Sequence, residues 1–184
     1  MVAKMKKKAV IITGQGFEDV EVIYPYYRLL EAGFIVDIAT ENGLDMNGKF
    51  GVPISSLVKP NSLIATSKLK VKDYDLVIIP GGYVAPDKLR LQKEVLDFIR
   101  GMNEEKKLVA SICHGPWVLI SSKILKGITA TCYPSMVDDL VNAGARYVDE
   151  AVVVYKNIIT SRRPRDLPVF METIIHHLNS QNFK

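Results

Sequence analysis

Runs of apolar residues alternate with amphipathic stretches along most of the chain. Largely apolar runs are typical of strands buried on both faces of a sheet, and they occur at residues 8–13, 76–80 and 108–112. Residues 34–39 are predicted to be the strand that returns parallel to the first after a helical crossover. Apolar residues at helical spacing predict helices over residues 19–30, 87–105, 115–125 and 166–178. Strands that alternate with helices predict an α/β protein with a largely parallel sheet covered by helices on both faces.

The pattern is weaker in the remaining segments. Turn signals at Asn42-Gly43 and Asn47-Gly48 predict short hairpin strands between residues 41 and 71. A short helix is expected over residues 135–142. Two apolar pieces around Lys156-Asn157 predict an antiparallel hairpin.

Composition narrows the class of protein. The 184 residues are 48% hydrophobic and 24% charged, which predicts one globular domain over residues 1–184. The net charge is +4, but apart from residues 6–8 the basic residues are interleaved with acids, so no nucleic-acid partner is expected. No segment has the apolar length of a signal peptide or a membrane span, which predicts a cytoplasmic protein without a membrane partner. Its two cysteines are then expected to be free thiols.

Cys113 is the main candidate for chemistry. It follows the apolar run 108–112 directly, and Gly115 and a predicted helix come immediately after it. A strand that turns at once into a helix is the geometry of a nucleophile elbow, which exposes the reactive atom above the sheet. A helix N-terminus favours thiolate over thiol. The alternative is a small buried side chain at a strand end, which is common for cysteine.

Three other positions lie at predicted strand ends, where ligands bind in open α/β sheets. His114 supplies either a base or a fixed positive charge beside Cys113. Glu18 is able to face the elbow across the rim, although spacing alone favours an ordinary acid in a first helical turn. Gly81-Gly82 offers either backbone N–H donors for an oxyanion or a tight turn.

Metal ligands are not apparent in the sequence. Cys132 lacks a neighbouring histidine, and His176-His177 lies in an amphipathic stretch without an acid or cysteine at ligand spacing. Neither a metal nor an organic cofactor is therefore expected. The basic run at residues 162–165 either steers an anionic group or is a solvated loop.

Several separated motifs together resemble the PfpI family of intracellular cysteine proteases, within the ThiJ/PfpI superfamily and its class I glutamine-amidotransferase-like fold. The resemblance covers nearly the whole chain. In chain order the motifs are residues 16–21 (GFEDVE), 80–82 (PGG), 85–87 (APD), 110–116 (ASICHGP), 138–139 (DD), 142–144 (NAG), 160–162 (TSR), 164 (P) and 166–167 (DL).

This resemblance implies a flavodoxin-like α/β sandwich and a set of roles. Cys113 would be the nucleophile, His114 its partner and Glu18 the acid that contacts the thiol. The backbone N–H groups of Gly82 and His114 would hold the oxyanion. Asp87, supplied by a neighbouring subunit, would orient the histidine, although the segment before Asp87 is one residue longer than the usual pattern. Self-association as a dimer or hexamer is also implied.

Three functions are consistent with these residues. The first is a cysteine hydrolase that cleaves small peptides. The second is a cofactor-independent glyoxalase or protein deglycase, whose thiolate adds to a reactive aldehyde or an aldehyde-derived adduct. The third is a non-catalytic stress protein or chaperone, in which an accessible Cys113 of low pKa senses the redox state.

Overall fold

The computed structural model describes residues 6–59 and 61–180. The ends of the predicted domain, at residues 1–5 and 181–184, and residue 60 lie outside this range, so one domain over 1–184 stays a prediction. The strands are β1 (Lys8–Ile12), β2 (Ile35–Thr40), β3 (Leu63–Ala65), β4 (Leu76–Ile79), β5 (Leu108–Ile112), β6 (Thr129–Ala130), β7 (Arg146–Tyr147), β8 (Val152–Tyr155) and β9 (Ile158–Ser161). The helices are α1 (Asp19–Glu31), α2 (Val84–Leu89), α3 (Lys93–Glu104), α4 (Pro116–Ser121), α5 (Val137–Asn142) and α6 (Leu167–Ser180).

A seven-stranded sheet organises the fold, in the order β3-β2-β1-β4-β5-β9-β8. All neighbouring strands in it are parallel except β8, which runs antiparallel to β9. The strands β6 and β7 form a separate parallel pair. The prediction of a flavodoxin-like α/β fold with a mostly parallel sheet is confirmed, as is the hairpin at residues 152–160.

Successive side chains of the central strands pack alternately into two hydrophobic cores, one on each face of the sheet. In β1, Ala9 and Ile11 belong to one core, while Val10 and Ile12 belong to the other. The first core includes residues of α1 and α6, and the second includes residues of α3, α4 and α5. The continuous apolar runs seen in the sequence follow from this burial on both faces.

The helices that follow the neighbouring strands β1 and β4 pack on opposite faces of the sheet. The helix after β1 lies in the first core, whereas α3, which follows β4 and α2, lies in the second. This arrangement opens a crevice beyond the carboxyl ends of the strands, where ligands bind in such sheets. The segments that follow β1, β4 and β5 meet there.

The predicted hairpin strands between residues 41 and 71 are largely wrong. Among the described residues of this stretch, β3 pairs parallel with β2, and a single antiparallel bridge joins Asn47 to Pro53. The turn at 47–48 is held instead by other parts of the chain, since Lys49 N–H donates to Phe17 O at 2.8 Å. Tertiary contacts therefore override the local turn signal.

Two helix boundaries also differ from the prediction. The helix expected over 87–105 is two helices, α2 and α3, separated at Arg90–Gln92. The helix expected over 115–125 ends at Ser121. Among the described residues, no helix combines the length and apolar character needed to cross a membrane.

Candidate active site

Cys113 lies on a strained turn between β5 and α4. Its φ is 61°, in the left-handed region that non-glycine residues seldom adopt. The turn is fixed on both sides, because Cys113 N–H donates to Ser161 O at 3.1 Å and Cys113 O accepts from Tyr133 N–H at 3.0 Å. A Cβ atom at Gly115 would lie 2.3 Å from Ile79 O, so the chain after the turn has room for glycine alone. The predicted elbow is therefore present.

His114 is held beside the thiol by aromatic contacts. Its Nδ1 lies 3.3 Å from Cys113 Sγ, and its Nε2 lies 3.4 Å from Ser135 Oγ. The ring stacks on Tyr133, with 4.7 Å between centroids, and meets the edge of Trp117 at 5.1 Å. Burial lowers the pKa of His114, so the neutral imidazole dominates at neutral pH.

The carboxyl group that interacts with the thiol belongs to Glu21, in the first turn of α1, and not to Glu18. Glu21 is fully buried, and its Oε2 accepts a hydrogen bond from Gly81 N–H at 2.6 Å. The Glu21 carboxyl also lies close enough to Cys113 to raise the pKa of its thiol. Burial raises the pKa of Glu21 to about 8, which outweighs the opposing effect of the Gly81 bond. Glu21 is therefore protonated at neutral pH.

Glu18 occupies the rim of the same pocket. Its Oε2 lies 3.4 Å from Lys49 Nζ, and its backbone N–H donates to Gly81 O at 3.3 Å. The predicted contact between Glu18 and the thiol is replaced by the one from Glu21. The acids at 18, 19 and 21 share one first-turn pattern, and the position of the chain entering α1 decides which of them faces Cys113.

Two opposing influences act on the Cys113 sulfur. The residue is only 5% exposed, and burial together with the charge of an ionised Glu21 raises the pKa of the thiol. The backbone N–H groups of His114 and Gly82 hydrogen-bond to the sulfur and lower that pKa. The sequence predicted an accessible thiol of low pKa. That expectation is wrong for this chain, because burial outweighs the two N–H groups.

The pair of Glu21 and Cys113 titrates as a unit, since each group changes the pKa of the other. With both pKa values raised, the pair holds both protons at neutral pH. The first proton leaves Glu21 near pH 8, and the resulting carboxylate charge raises the pKa of the Cys113 thiol further.

The thiol opens into a cavity of about 370 Å³. The size suits a small molecule. The cavity combines an acid and a base at its rim with aromatic walls, and its lining residues are Glu18, Lys49, Gly82, Tyr83, Cys113, His114, Tyr133 and Pro164. Glu21 lies in the GFEDVE motif at residues 16–21, but the resemblance assigned the acid that contacts the thiol to Glu18. Lys49 and Tyr133 lie in none of the quoted motifs and were not singled out from the sequence.

A loop pinned to the start of α1 carries Lys49 over this cavity. Asp19 Oδ2 accepts a hydrogen bond from Phe50 N–H at 3.1 Å. A Cβ atom at Gly48 would lie 2.2 Å from Asp19 Oδ1, so the loop approaches the carboxylate closely. The first turn of α1 therefore positions both Lys49 at the rim of the cavity and Glu21 beside Cys113.

Other residues named from the sequence lie away from Cys113. Asp87 is exposed on α2, and its role across a subunit contact stays a prediction. Both cysteines are free, and Cys132 is fully buried, which raises its pKa to about 12. Arg162 pairs with Asp149 and Asp166 at 2.8 and 2.9 Å. Among the described residues, no cluster of three or more His, Cys, Asp or Glu side chains has the arrangement of a metal site.

Known proteins are similar to this chain in sequence and in fold. The model of the DJ-1/PfpI family matches residues 7–177. The chain is 40% identical to a protein of Pyrococcus furiosus named deglycase PfpI, with 91% of this chain and 97% of that protein covered. It is 45% identical to the putative cysteine protease YraA of Bacillus subtilis, with 90% and 94% covered.

A solved structure extends the likeness to three dimensions. DJ-1beta of Drosophila melanogaster superposes with a TM-score of 0.85 at 32% identity, with 95% of this chain and 91% of that chain covered. The family model, the relatives and the fold agree with the resemblance to PfpI proteins found in the sequence. The chain belongs to the DJ-1/PfpI family.

Proposed function

We propose that this protein is a cofactor-independent deglycase, in which Cys113 attacks small adducts of reactive aldehydes with amines. One observation carries the proposal. The Cys113 sulfur lies at the floor of a small cavity between the buried Glu21 carboxyl and the His114 imidazole, whose Nδ1 is 3.3 Å away. A nucleophile flanked by two groups that exchange protons suits a reaction with several proton transfers.

The shape of the cavity supports a small substrate. A cavity of about 370 Å³ surrounds a residue that is 5% exposed. Cleavage of an extended peptide requires room for the chain on both sides of the scissile bond, whereas an aldehyde adduct brings in a few atoms. The name of the Pyrococcus furiosus relative, deglycase PfpI, supports the same choice.

The first step replaces nitrogen by sulfur. The substrate is an aminocarbinol, in which one carbon beside a ketone carries hydrogen, hydroxyl and the amine nitrogen. The neutral His114 imidazole takes the thiol proton through Nδ1. The C–S bond forms, the C–N bond breaks, and the amine leaves with the proton that His114 received.

The second step moves hydrogen within the bound fragment. The carbon bonded to sulfur loses its proton, the neighbouring ketone carbon gains one, and the hydroxyl proton passes to the ketone oxygen. The hydroxyl-bearing carbon thereby becomes a thioester carbonyl, and the ketone becomes an alcohol. One carbon is oxidised while the other is reduced, so no external oxidant is needed. The fraction of Glu21 that is ionised is the base that carries this proton, because a pKa of about 8 allows the carboxyl beside Cys113 to take up and release a proton near neutral pH.

Water completes the cycle by hydrolysing the thioester to a 2-hydroxy acid and the free thiol. Attack of water on the thioester places negative charge on the oxygen of the carbon bonded to sulfur. The N–H groups of Gly82 and His114 already point toward the sulfur, which supports their role as oxyanion donors.

Peptide hydrolysis is the second candidate function. The same two N–H groups suit the tetrahedral intermediate of acyl transfer, and the Bacillus subtilis relative is named a putative cysteine protease. The two functions share the nucleophile and differ in the substrate that enters the cavity.

The decisive experiment compares two substrates. Purified protein is incubated with the methylglyoxal adduct of an N-acetylated amino acid, and lactate and free amine are quantified; a peptide library is tested in parallel. We expect lactate and amine in equal amounts from the wild type and from Cys132→Ala, which removes the cysteine outside the cavity. Cys113→Ala is expected to abolish both products. Peptide cleavage that depends on Cys113, without lactate, would overturn the deglycase proposal and favour the second candidate.

A further inference from the structure

We infer that a second cavity binds a small phosphate monoester. It has a volume of about 450 Å³ and lies beside the ends of α2 and α4 and along α5. None of its lining residues also lines the cavity at Cys113. The lining residues are Arg90, Ile120, Lys123, Leu125, Lys126, Asp139, Asn142 and Ala143.

The charges of this cavity are unbalanced in favour of an anion. Arg90, Lys123 and Lys126 contribute three cationic groups, and among the residues that the structure describes none of them has a carboxylate oxygen within 4.0 Å. The one lining carboxylate, Asp139, accepts a hydrogen bond from Trp117 Nε1 at 2.8 Å. The net charge of the lining is therefore +2, which matches the dianion of a phosphate monoester.

Arg90 is preorganised for this role. Its Nε donates to Ser121 Oγ at 3.0 Å, and its guanidinium carbon lies 5.6 Å from the centroid of the Trp117 ring. These two contacts fix the plane of the guanidinium group. A guanidinium held in one orientation loses less entropy when it binds the oxygens of a phosphate.

Part of the lining of this cavity is apolar. Ile120, Leu125 and Ala143 present hydrocarbon surface beside the cationic groups. A ligand that carries both a phosphate and a small apolar body would use both surfaces, whereas inorganic phosphate would leave the apolar surface in contact with water. The proposal is therefore a phosphate monoester with a compact apolar group.

Trp117 makes the site observable. It is the one tryptophan of the chain, it contacts Arg90, and its ring meets His114 at 5.1 Å. An anion that binds Arg90 changes the electrostatic field at the indole. Its fluorescence is therefore expected to report occupancy of the second cavity directly.

The test uses phenyl phosphate as the probe and isothermal titration calorimetry as the decisive measurement, with Trp117 fluorescence recorded on the same samples. The wild type is expected to bind one equivalent. The double variant Lys123→Gln/Lys126→Gln is expected to bind about tenfold more weakly or worse, since two charge-assisted contacts are lost. The double variant Lys68→Gln/Lys72→Gln removes the same total charge from exposed positions outside the cavity and is expected to bind like the wild type.

Four results would overturn the proposal. The first is the absence of both heat and fluorescence change when phenyl phosphate is added to the wild type, and the second is equal affinity of the wild type and the Lys123→Gln/Lys126→Gln variant for phenyl phosphate. The third is an affinity for inorganic phosphate equal to that for phenyl phosphate, which would indicate a free-phosphate site. The fourth is an affinity for benzyl alcohol equal to that for phenyl phosphate, which would indicate a merely apolar cavity. Thermal unfolding of each variant shows whether the fold is retained, and a variant that unfolds is replaced by the single changes Lys123→Gln and Lys126→Gln.

Discussion

Glu21 and Cys113 meet across Gly81. The backbone N–H of Gly81 donates to Glu21 Oε2 at 2.6 Å, and a Cβ atom at Gly81 would lie 2.6 Å from Cys113 Cβ and 2.7 Å from Glu21 Oε2. No side chain therefore fits between the two reacting groups. This contact makes the strand end after β4 as important for the chemistry as the elbow that carries the nucleophile.

The coupling of Glu21 and Cys113 predicts a pH dependence of thiol reactivity. In the wild type Glu21 loses its proton near pH 8, because burial raises its pKa to about 8, and its carboxylate then raises the pKa of the neighbouring thiol. In Glu21→Gln that charge is absent, and burial remains the main cause that raises the thiol pKa. The rate of Cys113 alkylation by iodoacetamide is therefore expected to rise at lower pH in Glu21→Gln than in the wild type. Coinciding profiles would contradict the coupling; Cys132→Ala serves as the control for alkylation elsewhere.

Stability should respond to the same carboxyl. The pKa of Glu21 is about 8 in the folded chain against an ordinary 4.5, so the folded state keeps a proton that the unfolded state releases. The contribution of Glu21 to stability is fully present below pH 4.5 and is lost as the pH rises to about 8. Glu21→Gln lacks this loss. Between those pH values, the free energy of unfolding of the wild type is expected to fall relative to that of Glu21→Gln by on the order of 3 kcal/mol.

Urea unfolding at a series of pH values measures this difference. Glu31→Gln is the matched control, because Glu31 lies on the same helix with an exposed side chain paired to Arg28. A constant difference between Glu21→Gln and the wild type from pH 5 to pH 8 would show that Glu21 is ionised in the folded state at neutral pH.

The close approach at Gly81 predicts a sharp contrast between two glycines. Gly81→Ala places a methyl group against Cys113 and Glu21, and we expect a loss of turnover of about 100-fold or more, with destabilisation of ~2 kcal/mol. Gly14→Ala, at the end of β1, is expected to keep both activity and stability, because its Cβ would lie 3.9 Å from Ala85 Cβ. Turnover and melting temperature are measured for both; equal effects would refute the steric argument.

Two variants test what orients His114. Within one chain, Ser135 Oγ lies 3.4 Å from His114 Nε2, and the exposed Asp87 is predicted to reach this nitrogen from a neighbouring subunit. A carboxylate orients an imidazole more strongly than a hydroxyl group does. We therefore expect Asp87→Ala to lower kcat by about tenfold or more and Ser135→Ala to lower it by about twofold at most. The reverse order would assign the orienting role to Ser135, and light scattering shows whether Asp87→Ala has changed the assembly.

The sequence was sufficient to predict the central part of the fold. The apolar runs that became β1, β4 and β5 are signals of burial on both faces, and they end at the glycines that follow each strand. Because Cys113 follows β5 directly, its place on an elbow was also predictable. These features depend on a few neighbouring residues.

Features that depend on distant residues were not predictable in this way. The choice between Glu18 and Glu21 rests on how the chain enters α1 beneath Gly81, and both positions suit an acid in a first helical turn. The break between α2 and α3 contains neither proline nor glycine that would mark it in the sequence. The burial of Cys113 likewise depends on residues from three separate strand ends. This burial raises the pKa of the thiol, whereas the sequence predicted a low pKa.

The left-handed backbone at Cys113 limits which nucleophiles this fold accepts. A φ of 61° is costly for any side chain branched at Cβ, which rules out threonine at the elbow. Serine is unbranched and similar in size, so it is the one hydroxyl nucleophile that the turn accommodates. New chemistry in this scaffold is therefore more accessible through the walls of the cavity, at positions such as Lys49 and Tyr133, than through the residue that attacks.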